Sequence, residues 1–248
     1  MTEVALAVIG GTGLYRLTAF ADAERHTVDT PYGETSDAVV DGTLHGKRVL
    51  FLARHGERHV LAPHEINYRA NLWALKALGA TRVLAVNSVG GISAQMGPRV
   101  LALPDQLIDY TWGRAHTYSG GGNAVDHVDM SWPYDRTLRA SLLAAAVDAE
   151  VTLVDGGTYG ATQGPRLETA AEIRRLERDG CDLVGMTCMP EAGLARELGL
   201  AYACIAVVAN WAAGCGDDEE ITLADVLAIM DIATAQLPSL LASLLKKY

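Results

Sequence analysis

Apolar residues follow two rhythms along this chain. At 4–9, 83–86 and 203–208 they run unbroken, odd and even positions alike. Such runs predict short strands buried on both faces. Elsewhere they return every three or four positions. Tyr68, Leu72, Leu75 and Leu78, followed by Gly79, predict a helix over 67–78 with a glycine stop. The same rhythm predicts helices at 138–147, at 169–178 before Gly180, and at 190–198 between Pro190 and Gly199. A last, long amphipathic helix is predicted over 222–246, with Thr222 as N-cap and Asp225 in its opening turn. Residues 39–52 hold two strand-like runs around Asp41-Gly42 and His45-Gly46, a hairpin pattern. Further short strands are expected at 151–154 and 182–184.

Strands thus alternate with helices through most of the chain. That order predicts an α/β fold, one domain over 1–248, with a mixed, mostly parallel sheet flanked by helices. No internal repeat or linker interrupts it, and Ser119-Gly120-Gly121-Gly122-Asn123 reads as the one plainly flexible loop.

The net charge of −10 argues against a general nucleic-acid binder, which carries a basic patch. It leaves room for a small anion held by a few local cations. No apolar run reaches the roughly 18 residues of a membrane span, so no membrane partner is expected. The start, Met1-Thr2-Glu3-Val4, lacks the basic residues of a secretory signal. The cysteines, Cys181, Cys188, Cys204 and Cys215, form no CxxC pair and read as buried thiols of a reducing cytoplasm.

In α/β sheets, ligands collect beyond the carboxyl ends of strands, and four polar clusters follow predicted strands here. Gly10-Gly11-Thr12-Gly13 can bring backbone N–H groups and a hydroxyl to an anion; it reads equally well as an ordinary turn. Arg54-His55-Gly56 offers a planar fork of donors suited to phosphate and a second donor in His55. On their own, such residues at a strand end are more often plain surface. Asn87-Ser88-Val89-Gly90-Gly91 reads as a backbone nest with a hydroxyl, or as a turn. Asn210, after the run ending at Val208, can meet a heterocycle edge as donor and acceptor, or simply end a strand. The seven histidines lack metal-ligand spacing, so neither metal nor cofactor is expected.

Together these segments resemble the trimeric purine nucleoside phosphorylase and methylthioadenosine phosphorylase family. The likeness is carried by Ile9-Gly10-Gly11-Thr12-Gly13, Ala53-Arg54-His55-Gly56, Asn67-Tyr68-Arg69-Ala70-Asn71, Gly164-Pro165-Arg166 and Gly185-Met186-Thr187-Cys188-Met189-Pro190-Glu191. It spans nearly the whole chain. It implies a twisted, partly closed sheet, a cytoplasmic homotrimer with active sites near subunit interfaces, and cleavage of a purine nucleoside by inorganic phosphate as co-substrate. Thr12, Arg54, His55, Ser88 and Thr187 match positions that hold phosphate, with Asn87 beside them, and Met186 matches a residue packed on the ribose.

The resemblance also bears on specificity. Adenine-specific members carry aspartates where this chain has Asn210 and Ala212, whereas members specific for 6-oxopurines use an asparagine together with a glutamate matching Glu168. Hypoxanthine presents an N1–H that an ionised Glu168 can accept; adenine presents a lone pair there. Leu167 and Trp211, beside these residues, are further candidates for the base pocket. Ordinary members meet the 5′-hydroxyl with a histidine before the last helix. This chain has none beyond His127, and Leu223 and Val226 match positions that pack a methylthio group. One helical turn separates them, so they share a face. His127 matches a residue near that pocket, contributed by a neighbouring subunit. The combination implies 5′-methylthioinosine as substrate, with inosine or guanosine and 5′-methylthioadenosine as alternatives. Asn210, stabilising the departing purine, and His55 are the implied catalytic residues.

Two other readings come from the residues alone. A nicotinamide-dependent enzyme would need a third glycine where Arg16 stands. A nucleoside-binding module without catalysis would show no phosphate dependence.

Overall fold

The computed structural model describes residues 3–11, 20–122, 124–216 and 222–248. Two long strands form its axis, β5 (Arg82–Gly91) and β11 (Ala201–Trp211). They run parallel from Ala201 opposite Arg82 to Trp211 opposite Gly91, with a bulge between Val208 and Asn210. On the other edge of β5 lies β1 (Val4–Gly10), parallel to it and last paired where Gly10 meets Val86. Beyond β1 the sheet continues through β4 (Lys47–Ala53), β3 (Val39–Leu44) and β2 (Ala21–His26).

Four residues further along β5, a different neighbour takes over that edge. Strand β10 (Leu183–Gly185) pairs antiparallel with it, Val184 opposite Gly90 and Leu183 opposite Gly91. Strands β9 (Thr158–Ala161) and β7 (Gln106–Asp109) extend this second branch, while β6 (Leu101–Leu103) and β8 (Val154–Asp155) continue the sheet beyond β11. The sheet is therefore forked. Among the described strand pairs six are parallel and four antiparallel, the mixed, mostly parallel α/β sheet that the sequence predicts.

Alternation along the central strands explains their unbroken apolar runs. Val83 and Ala85 of β5, with Cys204 and Ala206 of β11, face one core; Leu84 and Val86, with Ile205 and Val207, face the other. Helices α1 (Tyr68–Ala77) and α4 (Cys188–Glu197) cover the first face, through residues such as Leu72, Leu75 and Leu194. Helices α2 (Arg136–Asp148), α5 (Leu223–Thr234) and α6 (Leu237–Leu245) cover the second, through Leu138, Leu142, Met230, Leu240 and Leu244. Helix α3 (Ala170–Arg178) begins with a reciprocal Thr169–Glu172 capping box and lays Ile173 and Leu176 against β10.

Several expectations need correction. The single helix over 222–246 is two helices, bent by 40° between them. Pro238 lies in the first turn of α6; with no N–H and a ring that clashes with the preceding turn, it ends α5. No single helix among the described residues is long and apolar enough to cross a membrane. The strand expected at 151–154 shrinks to Val154–Asp155, and β2, β6, β7 and β9 were not expected. Among the described strands β2 pairs on one edge only, and it is largely polar, so it carries no apolar rhythm. Most telling, β5 and β11 do not stop at Val86 and Val208. They run on through Asn87-Ser88-Val89-Gly90-Gly91 and Ala209-Asn210-Trp211. Those polar residues belong to strands, not to a nest or a turn.

Candidate active site

The fork creates the site. Residues 87–89 of β5 lie between the last pairing to β1 and the first to β10, and a cavity of about 460 Å³ opens there. That volume is in the range of small-molecule pockets. Its lining brings together Arg54, His55, Asn87, Ser88, Met186 and Thr187 with Leu167, Glu168, Asn210, Ala212 and Val226, drawn from segments far apart in the chain.

At one end the walls are buried and charged. Arg54 follows β4 and is 1% exposed. Its Nε and Nη2 donate to the two carboxylate oxygens of Glu191 at 2.8 and 2.9 Å. Glu191, itself inaccessible, also accepts from Tyr202 Oη at 2.8 Å. Burial works against the guanidinium charge, but the Glu191 carboxylate outweighs it and holds the Arg54 pKa above the ordinary arginine value. Among the described residues Nη1 donates only a long bond of 3.3 Å to Val86 O, and it lies on the side of Gly11, which lines the cavity.

His55 departs from expectation. Its Nδ1 lies 2.8 Å from Leu61 O, and a carbonyl only accepts, so Nδ1 carries the ring's hydrogen. Burial lowers the His55 pKa to about 4, helped by the nearby Arg54 charge and opposed by the Leu61 bond. At neutral pH the donor expected for phosphate is therefore committed to Leu61, and Nε2 presents a lone pair. His59 stacks on this ring with centroids 4.5 Å apart and also lines the cavity.

Ser88 is exposed to the cleft, whereas Asn87 is buried, with its Nδ2 3.5 Å from Cys188 Sγ and its Oδ1 lacking a partner among the described residues. Thr187 precedes α4, and its side chain makes no capping bond. Gly185 before it is obligatory: a Cβ there would lie 2.0 Å from Tyr159 Oη.

The other end combines the 162–168 loop with the ends of β11 and α5, and no ion pair holds it among the described residues. Thr162 Oγ1 donates to Glu168 Oε1 at 2.5 Å. Asn210 Nδ2 donates to Trp211 O at 2.6 Å, which orients the amide and leaves its second hydrogen available. Gly164, at φ +61°, lets the loop pass so close to Met186 that a Cβ would meet Sδ at 2.5 Å. Val226 lies on the α5 side of the cavity.

Some sequence candidates are not gathered here. Thr12 lies outside the described residues, as does the side chain of Leu223, whose backbone opens α5. Trp211 follows Asn210 in β11, so alternation turns it away; its ring packs against Gly97 and Gly216. His127 lies in a separate shallow depression with His116, Asp126 and Glu197. Sequence reading gave no role to Glu191, Thr162 or Arg114. For Glu191 the signal was present, an acid inside the apolar stretch Met189-Pro190-Glu191-Ala192; acids are rarely buried unless paired. Among the described residues no group of three His, Cys, Asp or Glu side chains is placed to hold a metal ion.

A forked α/β sheet with an arginine-lined cleft at its branch point defines the class. The chain belongs to the phosphorylase superfamily, whose family model it matches over residues 5–246. More particularly, it is 62% identical over 243 residues to a probable S-methyl-5'-thioinosine phosphorylase of Xanthomonas campestris pv. campestris, covering 98% of this chain and 97% of that one. It is 43% identical over 231 residues to a 6-oxopurine nucleoside phosphorylase of Pyrococcus furiosus, 91% of this chain and 86% of that one. Among solved structures, methylthioadenosine phosphorylase from Schistosoma mansoni in complex with adenine superposes with a TM-score of 0.94 at 31% identity, covering 99% of this chain and 92% of that one.

Proposed function

We propose that the protein cleaves 6-oxopurine nucleosides with inorganic phosphate, and that 5′-methylthioinosine is its preferred substrate, giving hypoxanthine and 5-methylthioribose 1-phosphate. The hydrogen bond from Thr162 to Glu168 carries the base assignment. A carboxylate that accepts a hydrogen bond from a hydroxyl on one oxygen keeps its other oxygen as an acceptor, which suits the N1–H of hypoxanthine. Adenine would set a lone pair against it. Asn210 is a neutral amide where the adenine-specific pattern has an aspartate, and it offers a hydrogen to O6 or N7. Relatives carrying the methylthioinosine and 6-oxopurine names support the same reading.

Phosphate sits at the buried end, held by Arg54 Nη1, Ser88 and Thr187, with Thr12 from the family motif and with Asn87 and His55 beside it. Neutral His55 accepts from the P–OH of the phosphate ion. The glycosidic bond stretches toward an oxocarbenium-like sugar packed on Met186, and negative charge grows on the purine. Asn210 strengthens its bond as that charge develops, which is how a fixed donor raises a rate. Val226 and Leu223 enclose the methylthio group. No cofactor is needed. The working unit is a homotrimer, in which His127 of the partner subunit closes the 5′ end; its position away from its own cavity fits that role. A cytoplasmic salvage role fits four free thiols.

The test is base release from methylthioinosine, methylthioadenosine, inosine and adenosine, each with and without phosphate. Cleavage should require phosphate, and methylthioinosine should exceed methylthioadenosine in kcat/KM by about 10⁴, the discrimination open to a site that pairs a buried polar group. A preference for methylthioadenosine would overturn the base assignment; equal use of inosine would overturn the 5′ assignment.

A further inference from the structure

Arg114 stands apart from the other buried arginine. It is 7% exposed, and no carboxylate lies within ion-pair distance of it among the described residues. Its charge faces oxygens of another kind. Nη1 donates to Met186 O at 2.7 Å and Met189 O at 2.6 Å, with Tyr68 Oη at 3.3 Å. Nη2 donates to Gln163 O at 2.7 Å and Thr162 O at 3.3 Å. Among the described residues Nε has no partner, so these carbonyls and the Tyr68 hydroxyl set the plane of the group.

The acceptors belong to two segments that meet nowhere in sequence. One carries Met186 and Thr187, at the ribose and phosphate end of the cavity. The other begins with Thr162, whose hydroxyl holds Glu168, at the base end. A planar fork has a fixed spacing between its two terminal nitrogens. One nitrogen is bound to each segment, so the guanidinium sets the distance between them.

We propose that Arg114 is a positioning residue that holds the base-reading loop and the phosphate-side segment in register, so that base selection and phosphate binding depend on one side chain. This rests on the functional reading above, though the clamp also has a readout independent of activity. A lysine keeps the charge but offers a compact point donor that cannot serve both segments in one plane.

The experiment compares wild type with Arg114→Lys. The variant should lose about a hundredfold in kcat/KM, the scale of a misplacement of about 1 Å, with KM rising for phosphate and for methylthioinosine together. Its preference for methylthioinosine over methylthioadenosine should also fall. Amide hydrogen exchange should quicken at both 162–168 and 185–189. A role confined to stability would lower Tm and leave both KM values and the preference in place; that result, or loosening of one segment alone, overturns the proposal. If Arg114→Lys does not fold, Tyr68→Phe removes a single acceptor of the fork and should raise both KM values together by a smaller factor, and a variant with unchanged KM values counts against the clamp. Wild-type protein that cleaves no nucleoside would overturn the functional reading instead, with hydrogen exchange still deciding the clamp.

Discussion

The two ends of the cavity are built differently. At the end proposed for phosphate, Arg54, Glu191 and Tyr202 form a hydrogen-bonded chain sealed in the core. At the end proposed for the base, Glu168 and Asn210 are only partly buried and are steadied by a hydroxyl and a backbone carbonyl. The first arrangement is costly to disturb, because desolvated charges have nowhere else to go. The second can change one donor for an acceptor with little effect on the fold. On the proposed function, chemistry common to any nucleoside and phosphate belongs to the rigid part, and the choice of purine to the adjustable part.

Three substitutions or conditions probe that contrast. The largest effect on stability is expected from Glu191→Gln. It leaves Arg54 as an uncompensated buried charge, and removing one partner of such a pair costs about 3–5 kcal/mol. Urea unfolding should show that loss, and phosphate KM should rise in whatever remains folded. A change below about 1 kcal/mol, the scale of exposed ion pairs, would mean the pair is not sealed. Asn210→Ala should do the reverse. Stability should hold, while kcat falls by about 10²-fold, as when one donor to developing charge is removed, and KM should move much less. An unchanged kcat would remove Asn210 from catalysis.

The smallest effect is one of pH. The His55 pKa of about 4 lies below the ordinary 6.5. Between those values the unfolded chain binds a proton that the folded ring refuses, so stability falls as pH drops from 6.5 toward 4. In thermal melts without phosphate, His55→Gln should flatten part of that slope. A slope unaltered by the substitution would place the titration elsewhere, His59 being the neighbour whose pKa burial also lowers.

The central strands were legible in the sequence because both of their faces are apolar, and most helices because one face is. The ends of β5 and β11 were not. Asn87, Ser88 and Asn210 look like loop residues by composition, yet they continue strands whose edge faces a cleft instead of a core. Pro238 was visible as a break in the last helix, and the apolar rhythm around it hid its effect. The family motifs led to Arg54, His55, Met186, Thr187 and Glu168, which the fold does bring to one cavity. What a motif cannot reveal is the partner. Glu191 is 137 residues from Arg54, and Arg114 reaches its carbonyls across 48 to 75 residues. Only the folded chain shows those pairings.

The gap in the sheet has a consequence for how strand lengths can change. Beside residues 87–89 the described strands β1 and β10 stop short of one another, leaving that edge of β5 without a strand neighbour. One or two more residues of β1 in extended conformation would zip onto β5 and fill the cavity with main chain. Gly10 makes the last pairing of β1, with Ala53 on one side and Val86 on the other, so the strand ends where the gap begins. Length, more than side-chain identity, is therefore the property of β1 that least tolerates alteration, and a single-residue insertion before Gly10 should be more damaging than most substitutions within the strand.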